Sequence, residues 1–180
     1  MEAFDMAALR ETLLDIDEEA WLTFGDMREK LDVVIAGGCA FILRGLTRRP
    51  VTHDIDVLEV DARLQQILAG YFMVNGSISA HSDSIPYGYE GRLEDMLPET
   101  RCVRFLAPSL EDLIVMKLYA SRPHDVSDLT SDAVLGALDW GLLERLVYGE
   151  DEARASCLCD RRYQEMTAAY EQYKARFREG

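Results

Sequence analysis

Apolar and polar residues alternate along the chain with two different periods, which predict helices and strands in turn. Residues 1–31 carry Leu9, Leu13 and Ile16 at helical spacing between acidic residues, a pattern typical of one or two amphipathic helices. The run from Val33 to Ala36 is continuously apolar, which favours a strand buried on both faces. The N-terminal part of the chain therefore predicts helices that cover a buried sheet.

The remaining elements follow from the same periodicities and from cap residues. Further strands are predicted at 53–60, 71–79 and 101–106, and further helices at 39–46, 62–69, 109–121 and through most of 131–180. Asp61, Ser109 and Asp139 stand where helix N-caps are expected, and Asp112 completes a capping box with Ser109. The polar stretch 80–100 predicts a long excursion between strands, which could cover a site as a flap.

Gly37 and Gly38 end the first apolar run and precede a predicted helix. Glycine allows a positive φ and lets a ligand approach the backbone closely. The amides at the start of the following helix favour anions. The pair therefore indicates either a phosphate-binding turn or an ordinary strand-to-helix connection.

Asp54 and Asp56 lie two residues apart inside the second predicted strand, between apolar residues. Alternate side chains of a strand share a face, so the two carboxylates repel each other unless a cation or water separates them. Aspartate is also disfavoured inside strands. This pattern predicts a metal site; the alternative is an edge strand with a solvated face.

Lys117 lies on the apolar face of the helix that begins after Ser109. A lysine there must extend to solvent or meet an anion, because burial of an unpaired ammonium is costly. Asp125 and Asp128 follow. They could cap the next helix, anchor Lys117 or add a carboxylate to the site.

Composition narrows the classes of partner. The 180 residues carry a net charge of −14, which argues against general DNA or RNA binding. An RNA bound by a local basic patch and a basic protein partner are both compatible with this charge.

No apolar run reaches the roughly 18 residues of a membrane span, and no signal peptide is visible, so we expect a cytoplasmic protein with no membrane partner. The four cysteines show no zinc spacing and are expected to be reduced packing residues.

These features occur in a fixed order along the chain. Gly37-Gly38 comes first, then Arg49-x-x-Thr52-x-Asp54-x-Asp56, then Glu111-Asp112-Leu113 with Lys117, and finally Arg122-x-x-Asp125-x-x-Asp128. The set resembles the nucleotidyltransferase superfamily with the DNA polymerase β-like core. It is most similar to bacterial minimal nucleotidyltransferases, including the toxins of type IV toxin–antitoxin and abortive-infection systems.

The resemblance implies an α/β (α+β) fold with a mixed sheet flanked by helices and a helical C-terminal segment. We place the core and its N-terminal helices in residues 1–128 and the helical segment, packed on the core, in residues 129–180. The implied activity is transfer of a nucleoside monophosphate from an NTP to an RNA or protein acceptor, with one or two Mg²⁺ ions. A toxin of this kind would have a cognate antitoxin as partner.

The same resemblance assigns roles to residues. Asp54 and Asp56 would bind Mg²⁺, and Lys117 would contact phosphate. The remaining residues of the nucleotide site would be Gly37, Gly38, Arg49, Thr52, Asp125 and Asp128.

Two positions depart from the pattern. Gly38 stands where many members have serine, and the predicted strand 101–106 lacks the third carboxylate that many members carry on a later strand. Asp83, Glu90 or the Asp125/Asp128 pair would have to replace that carboxylate. The alternative function is a catalytically degenerate fold that binds a nucleotide or a protein.

Overall fold

Five strands form one mixed sheet in the computed structural model, which describes residues 5–47, 54–71, 74–75, 84–120 and 128–178. The described strands are β1 (Leu31–Ile35), β2 (Ile55–Val60), β3 (Val74–Asn75), β4 (Glu94–Asp95) and β5 (Val103–Ala107). Their order across the sheet is β3-β2-β1-β5-β4. β1 runs antiparallel to β2 and parallel to β5, so the sheet is mixed.

Helices precede, interrupt and follow the sheet. The described α-helices are α1 (Met6–Phe24), α2 (Gly37–Leu43), α3 (Gln65–Leu68), α4 (Leu110–Ala120), α5 (Asp132–Ala137), α6 (Trp140–Tyr148), α7 (Ala153–Ser156) and α8 (Asp160–Phe177). The described 3-10 helices are Ala62–Leu64 and Tyr87–Arg92. The predicted fold class, a mixed sheet flanked by helices with a helical C-terminal segment, is confirmed.

The chain divides into two compact units. Unit 1 comprises Met1–Ile78 and Leu93–Pro108, and unit 2 comprises Ser79–Arg92 and Ser109–Gly180. The division predicted from sequence, at residue 128, stays a prediction.

The core of unit 1 is formed by the sheet and the apolar face of α1. Leu9, Leu13 and Ile16 are buried at the predicted helical spacing. Asp17, also buried, accepts hydrogen bonds from the backbone amides of Arg101, Cys102 and Val103 at 2.7–2.9 Å. A buried carboxylate is tolerated when backbone donors satisfy it, so this residue fixes α1 against the start of β5.

The core of unit 2 is built around α4, which packs against α6 and α8. Ser109 and Asp112 form the predicted cap: the Ser109 hydroxyl accepts from the Asp112 amide at 3.1 Å and donates to its carboxylate at 2.7 Å. Met166, Tyr170 and Tyr173 of α8 are buried. One face of α8 is therefore packed within unit 2.

The predicted strand 71–79 contains β3, and its residues 72, 73 and 76–79 lie outside the described part of the chain. Two local details differ from the predictions. The predicted helix 62–69 is a 3-10 turn followed by the four residues of α3. The excursion 80–100 contains a 3-10 helix and the short β4, which pairs with β5. Among the described residues, no helix is long and apolar enough to cross a membrane.

Candidate functional site

Gly37 and Asp56 meet at the end of β1. Gly37 has a φ of +60°, which an L side chain rarely adopts. A Cβ at this position would overlap Oδ2 of Asp56 and lie 3.2 Å from its Cγ. The glycine is therefore required for two reasons, its backbone conformation and the close approach of the carboxylate.

A break in strand register helps to place Asp56. Ile35 pairs with Val57 and Val34 pairs with Glu59, so Leu58 is the extra residue of a bulge in β2. Beyond the bulge, the Ala36 amide donates to the Asp56 carbonyl at 2.9 Å. The ladder thus holds the backbone of Asp56 directly beside the glycine turn.

The two aspartates alternate with buried apolar residues, as predicted. Asp54 is exposed and Asp56 is partly exposed, whereas Ile55 and Val57 are buried. β2 lies between β1 and β3 in the sheet. The edge-strand position of the alternative is therefore wrong, whereas the exposure of Asp54 and Asp56 agrees with its solvated face.

Cys39 links α2 to the start of β2. Its Sγ donates a hydrogen bond to the backbone carbonyl of Asp54 at 3.4 Å. Burial raises the pKa of Cys39 to about 12, with further contributions from the charges of Asp56 and Asp54. The thiol is therefore an uncharged donor beside both carboxylates.

Lys117 and Asp128 form an ion pair within unit 2. The Lys117 Nζ lies 2.8 Å from Oδ2 of Asp128, and the two side chains are only 10 % and 15 % exposed. Of the three roles considered for Asp128, the anchor of Lys117 is the one observed. Lys117 lies on the buried face of α4, as its spacing predicted.

Several predicted residues lie outside the described part of the chain. They are Arg49, Thr52, Asp83 and Asp125. Gly37, Gly38, Asp54 and Asp56 belong to unit 1, and Lys117 and Asp128 belong to unit 2.

The predicted strand 101–106, which has no carboxylate, overlaps β5, and β5 pairs with β1 rather than with β2. The neighbours of β2 are β1 and β3, and backbone pairing places Asn75 of β3 in register with Asp56. Among the described residues, no group of three histidines, cysteines or acids could hold a metal ion. Glu90, proposed as a replacement, lies on the 3-10 helix Tyr87–Arg92 of unit 2.

The donor chemistry at β2 nevertheless fits a hard cation. Carboxylate oxygens are the ligands that Mg²⁺ prefers, and this ion commonly takes one or two protein carboxylates together with substrate phosphates and water. Asp54 and Asp56 supply two such carboxylates, and the missing Cβ at Gly37 leaves Asp56 room at the turn. The described residues are therefore compatible with a Mg²⁺ ion that completes its coordination with ligands from the substrate.

Sequence reasoning missed an ion-pair network in unit 2. Arg92 binds Asp112 with two donors, at 2.8 and 3.0 Å, and also contacts Glu152 at 2.9 and 3.1 Å. Asp112 is fully buried. The network attaches the predicted flap segment to α4 and to the start of α7. The capping box identified Asp112, but no local pattern identifies its partner.

A cleft lies where β1 begins and β2 ends, at the opposite end of these strands from the glycine turn. Its volume is about 570 Å³. The charged residues that line it are Glu29, Lys30, Asp32, Glu59, Asp61, Arg63 and Arg104. Arg104 binds Asp32 and Arg63 binds Asp61, each through two hydrogen bonds of 2.7–2.9 Å. These pairs partly neutralise the cleft, and the aspartates of β2 do not line it.

Comparison with known protein families decides the classification. The model of a family described as nucleotidyltransferases of unknown function (DUF6036) matches residues 11–178. The chain belongs to this family. The family name supports nucleotidyltransferase activity in general, and the superfamily resemblance is confirmed at that level. No curated protein and no solved structure matches the chain.

Proposed function

We propose that this nucleotidyltransferase is Mg²⁺-dependent and transfers a nucleoside monophosphate from an NTP to an RNA or protein acceptor. The observation that carries the proposal is the contact of Asp56 with Gly37 in a member of this family. A glycine turn and a carboxylate pair on one strand bring a phosphate-binding element and a cation-binding element together. Metal-assisted phosphoryl transfer uses both kinds of element, one to position the phosphates and one to hold the ion that neutralises their charge.

Each residue has a separate task in the proposed reaction. Asp54 and Asp56 would hold Mg²⁺, and a bound Mg²⁺ would supply positive charge next to the triphosphate. Gly37 and Gly38 offer backbone to the triphosphate without steric hindrance. Lys117 is assigned to phosphate contact on its motif, and its ion pair with Asp128 orients the side chain. Arg49, Thr52 and Asp125 are assigned to the nucleotide site on sequence alone.

A panel of labelled nucleotides tests the activity. Each NTP, carrying a label on the α-phosphate, is incubated with Mg²⁺ and with total RNA or total protein. We expect one NTP to label one acceptor class, and Asp54→Asn and Asp56→Asn to lose at least 100-fold of the rate. Glu59→Gln, which removes the same charge from an exposed position of β2, should retain it. Equal transfer by all variants would refute the assignment.

The alternative function is a nucleotide- or protein-binding module that has lost catalysis. It is favoured by the lack of a three-residue metal group among the described residues. Under this alternative, Mg²⁺ with the preferred NTP raises the melting temperature, but no acceptor becomes labelled. The same panel therefore separates the two functions.

We further propose that the protein acts as a toxin with a cognate antitoxin. This rests on the ordered motifs alone. Expression in bacteria should arrest growth, and Asp56→Asn at equal protein level should abolish the arrest. Growth that is equally unaffected by both proteins would remove the toxin role and leave the transferase activity to be judged by the label panel.

The basic residues of α8 give little support to a large RNA-binding face. Lys174 and Arg178 both pair with Glu144, and Arg161 pairs with Glu165. Ion pairs of this kind reduce the positive potential available to phosphates. If RNA is the acceptor, we expect the rate to fall only weakly as salt increases from 50 to 200 mM, on the order of a few-fold rather than the 1,000-fold typical of many phosphate contacts.

A further inference from the structure

Cys39 connects the glycine turn to the aspartate strand. It lies in α2, two residues after Gly37, and its side chain is fully buried. Its thiol donates to the carbonyl of Asp54 at 3.4 Å, within the longer range that sulfur hydrogen bonds adopt. The Cys39 side chain therefore connects α2, which begins at Gly37, to the backbone of Asp54.

Asp54 directly precedes β2, which begins at Ile55. Its carbonyl accepts the hydrogen bond from Cys39, and the carbonyl of Asp56, two residues later, accepts one from the Ala36 amide. The direction of a side chain follows from the orientation of its backbone, so a bond to the Asp54 carbonyl also constrains the direction of the Asp54 carboxylate.

We propose that Cys39 is a positioning residue that holds the Asp54 carboxylate in place for the cation. The proposal rests on the proposed function, because the cation is the one that Asp54 and Asp56 would share. Groups that orient metal ligands without touching the metal commonly contribute a factor of 10 to 100 to metal affinity. A fixed Asp54 would lower the cost of bringing two like charges to one ion.

Three variants separate positioning from packing. Cys39→Ala removes the donor, Cys39→Ser replaces it with a hydroxyl, and Cys102→Ala serves as the matched control. Cys102 is a second buried thiol of unit 1, only 1 % exposed, in the same apolar core as Cys39. The two alanine variants should lose similar free energy of unfolding, since each removes one buried sulfur.

The first readout is the affinity for Mn²⁺, used as a spectroscopic substitute for Mg²⁺ and measured by electron paramagnetic resonance without nucleotide. We expect Cys39→Ala to bind about 10-fold more weakly than the wild-type protein. Cys39→Ser should recover most of this loss, and Cys102→Ala should bind like the wild type. Equal affinity of the two alanine variants would overturn the proposal.

The second readout does not depend on a cation. The carbonyl ¹³C resonance of Asp54, observed in selectively labelled protein, should shift in Cys39→Ala and return towards its original position in Cys39→Ser. Cys102→Ala should leave it unchanged. If the wild-type protein neither binds Mn²⁺ nor transfers label from any NTP, the proposed function fails, and this resonance still tests the hydrogen bond. A resonance that does not respond to Cys39→Ala overturns the positioning role in either case.

Discussion

Gly37 shows how one missing side chain can define a site. Its positive φ alone would favour glycine, as it does at Gly25 and Gly45. What distinguishes Gly37 is its neighbour, since the space of its Cβ is occupied by the carboxylate of Asp56. Gly37 therefore differs from Gly25 and Gly45 by its contact with Asp56, since all three share a positive φ.

We predict that Gly37→Ala impairs the protein more than Gly45→Ala does. Both substitutions place alanine at a positive φ, which costs about 1–2 kcal/mol. At Gly45 no described atom lies within 4 Å of the added Cβ, whereas at Gly37 it would displace Asp56. Only Gly37→Ala should also lose Mn²⁺ affinity and label transfer. Urea denaturation and Mn²⁺ titration of both variants measure the difference, and equal effects on both measures would contradict the prediction.

Two buried tyrosines of α8 provide a second residue-scale comparison. The hydroxyl of Tyr173 donates to the carbonyl of Leu129 at 2.7 Å. The hydroxyl of Tyr170 is buried and has no hydrogen-bond partner within the described part of the chain. A buried polar group without a partner costs free energy, and a buried carbonyl that loses its donor does so as well.

We therefore predict opposite results for the same chemical change. Tyr170→Phe should leave the free energy of unfolding unchanged or increase it, because it removes an unsatisfied hydroxyl. Tyr173→Phe should decrease it by about 1–3 kcal/mol, because the Leu129 carbonyl loses its donor. Denaturant unfolding gives both values. A loss of similar size in Tyr170→Phe would indicate that its hydroxyl has a partner after all.

At the scale of elements, unit 1 is joined by contacts between segments that are distant in sequence. The carboxylate of Asp17 on α1 accepts hydrogen bonds from three backbone amides at the start of β5. Arg44, at the end of α2, donates to the carbonyls of Ala107, the last residue of β5, and of Pro108, and to the carboxylate of Glu94 in β4. These polar ties supplement the apolar contacts of the sheet.

We predict that Asp17→Asn destabilises the protein by about 2–3 kcal/mol. The asparagine keeps one acceptor oxygen, but its amide nitrogen faces the Arg101 or Cys102 amide instead of accepting from it, and the charge assistance is lost. Asp15→Asn, an exposed position on the same helix, is the control and should change little. The measurement is urea unfolding at neutral pH. Equal stability of the two variants would show that the buried carboxylate is dispensable.

At the scale of the whole molecule, each unit has its own core and its own buried charges. Unit 1 buries Asp17, and unit 2 buries Glu111, Asp112 and Lys117. Glu111 accepts from the Asp139 amide at 2.9 Å, and the other two acids and the lysine are paired or bonded as described above. Stability should therefore depend on a few buried polar contacts in each unit rather than on the many surface ion pairs.

The Arg92 network tests this expectation in unit 2. Arg92→Met leaves the fully buried Asp112 without its guanidinium, and removal of one partner of a buried ion pair costs about 3–5 kcal/mol. The control is Arg161→Met, whose ion pair with Glu165 is largely exposed and should have no measurable effect. Denaturant unfolding compares the two, and amide hydrogen exchange should show the loss of protection in α4 first. An unchanged Arg92→Met would contradict the expectation.

Local patterns in the sequence determined most of the helices and strands and the positions of several candidate site residues within them. The alternation around Asp54 and Asp56, the caps at Ser109 and Asp139, and the inward position of Lys117 all appear in the structure. Each of these features depends only on residues that are close in sequence, within one helix or one strand. The periodicity of the element and the chemistry of the cap residue are enough to predict such features. The order of the motifs along the chain was enough to indicate the superfamily.

Only the tertiary structure decided which segments meet. The sheet order places β2 between β1 and β3, so β5, where a third carboxylate was expected, is not adjacent to β2. The contact between Gly37 and Asp56, the bond from Cys39 to Asp54, and the partner of Asp112 also depend on tertiary packing. Such pairings join residues that lie far apart along the chain, and no periodicity encodes which of many compatible partners is chosen. The sequence therefore identifies the glycine turn and the aspartates as candidate site residues, and the fold brings Gly37 into contact with Asp56.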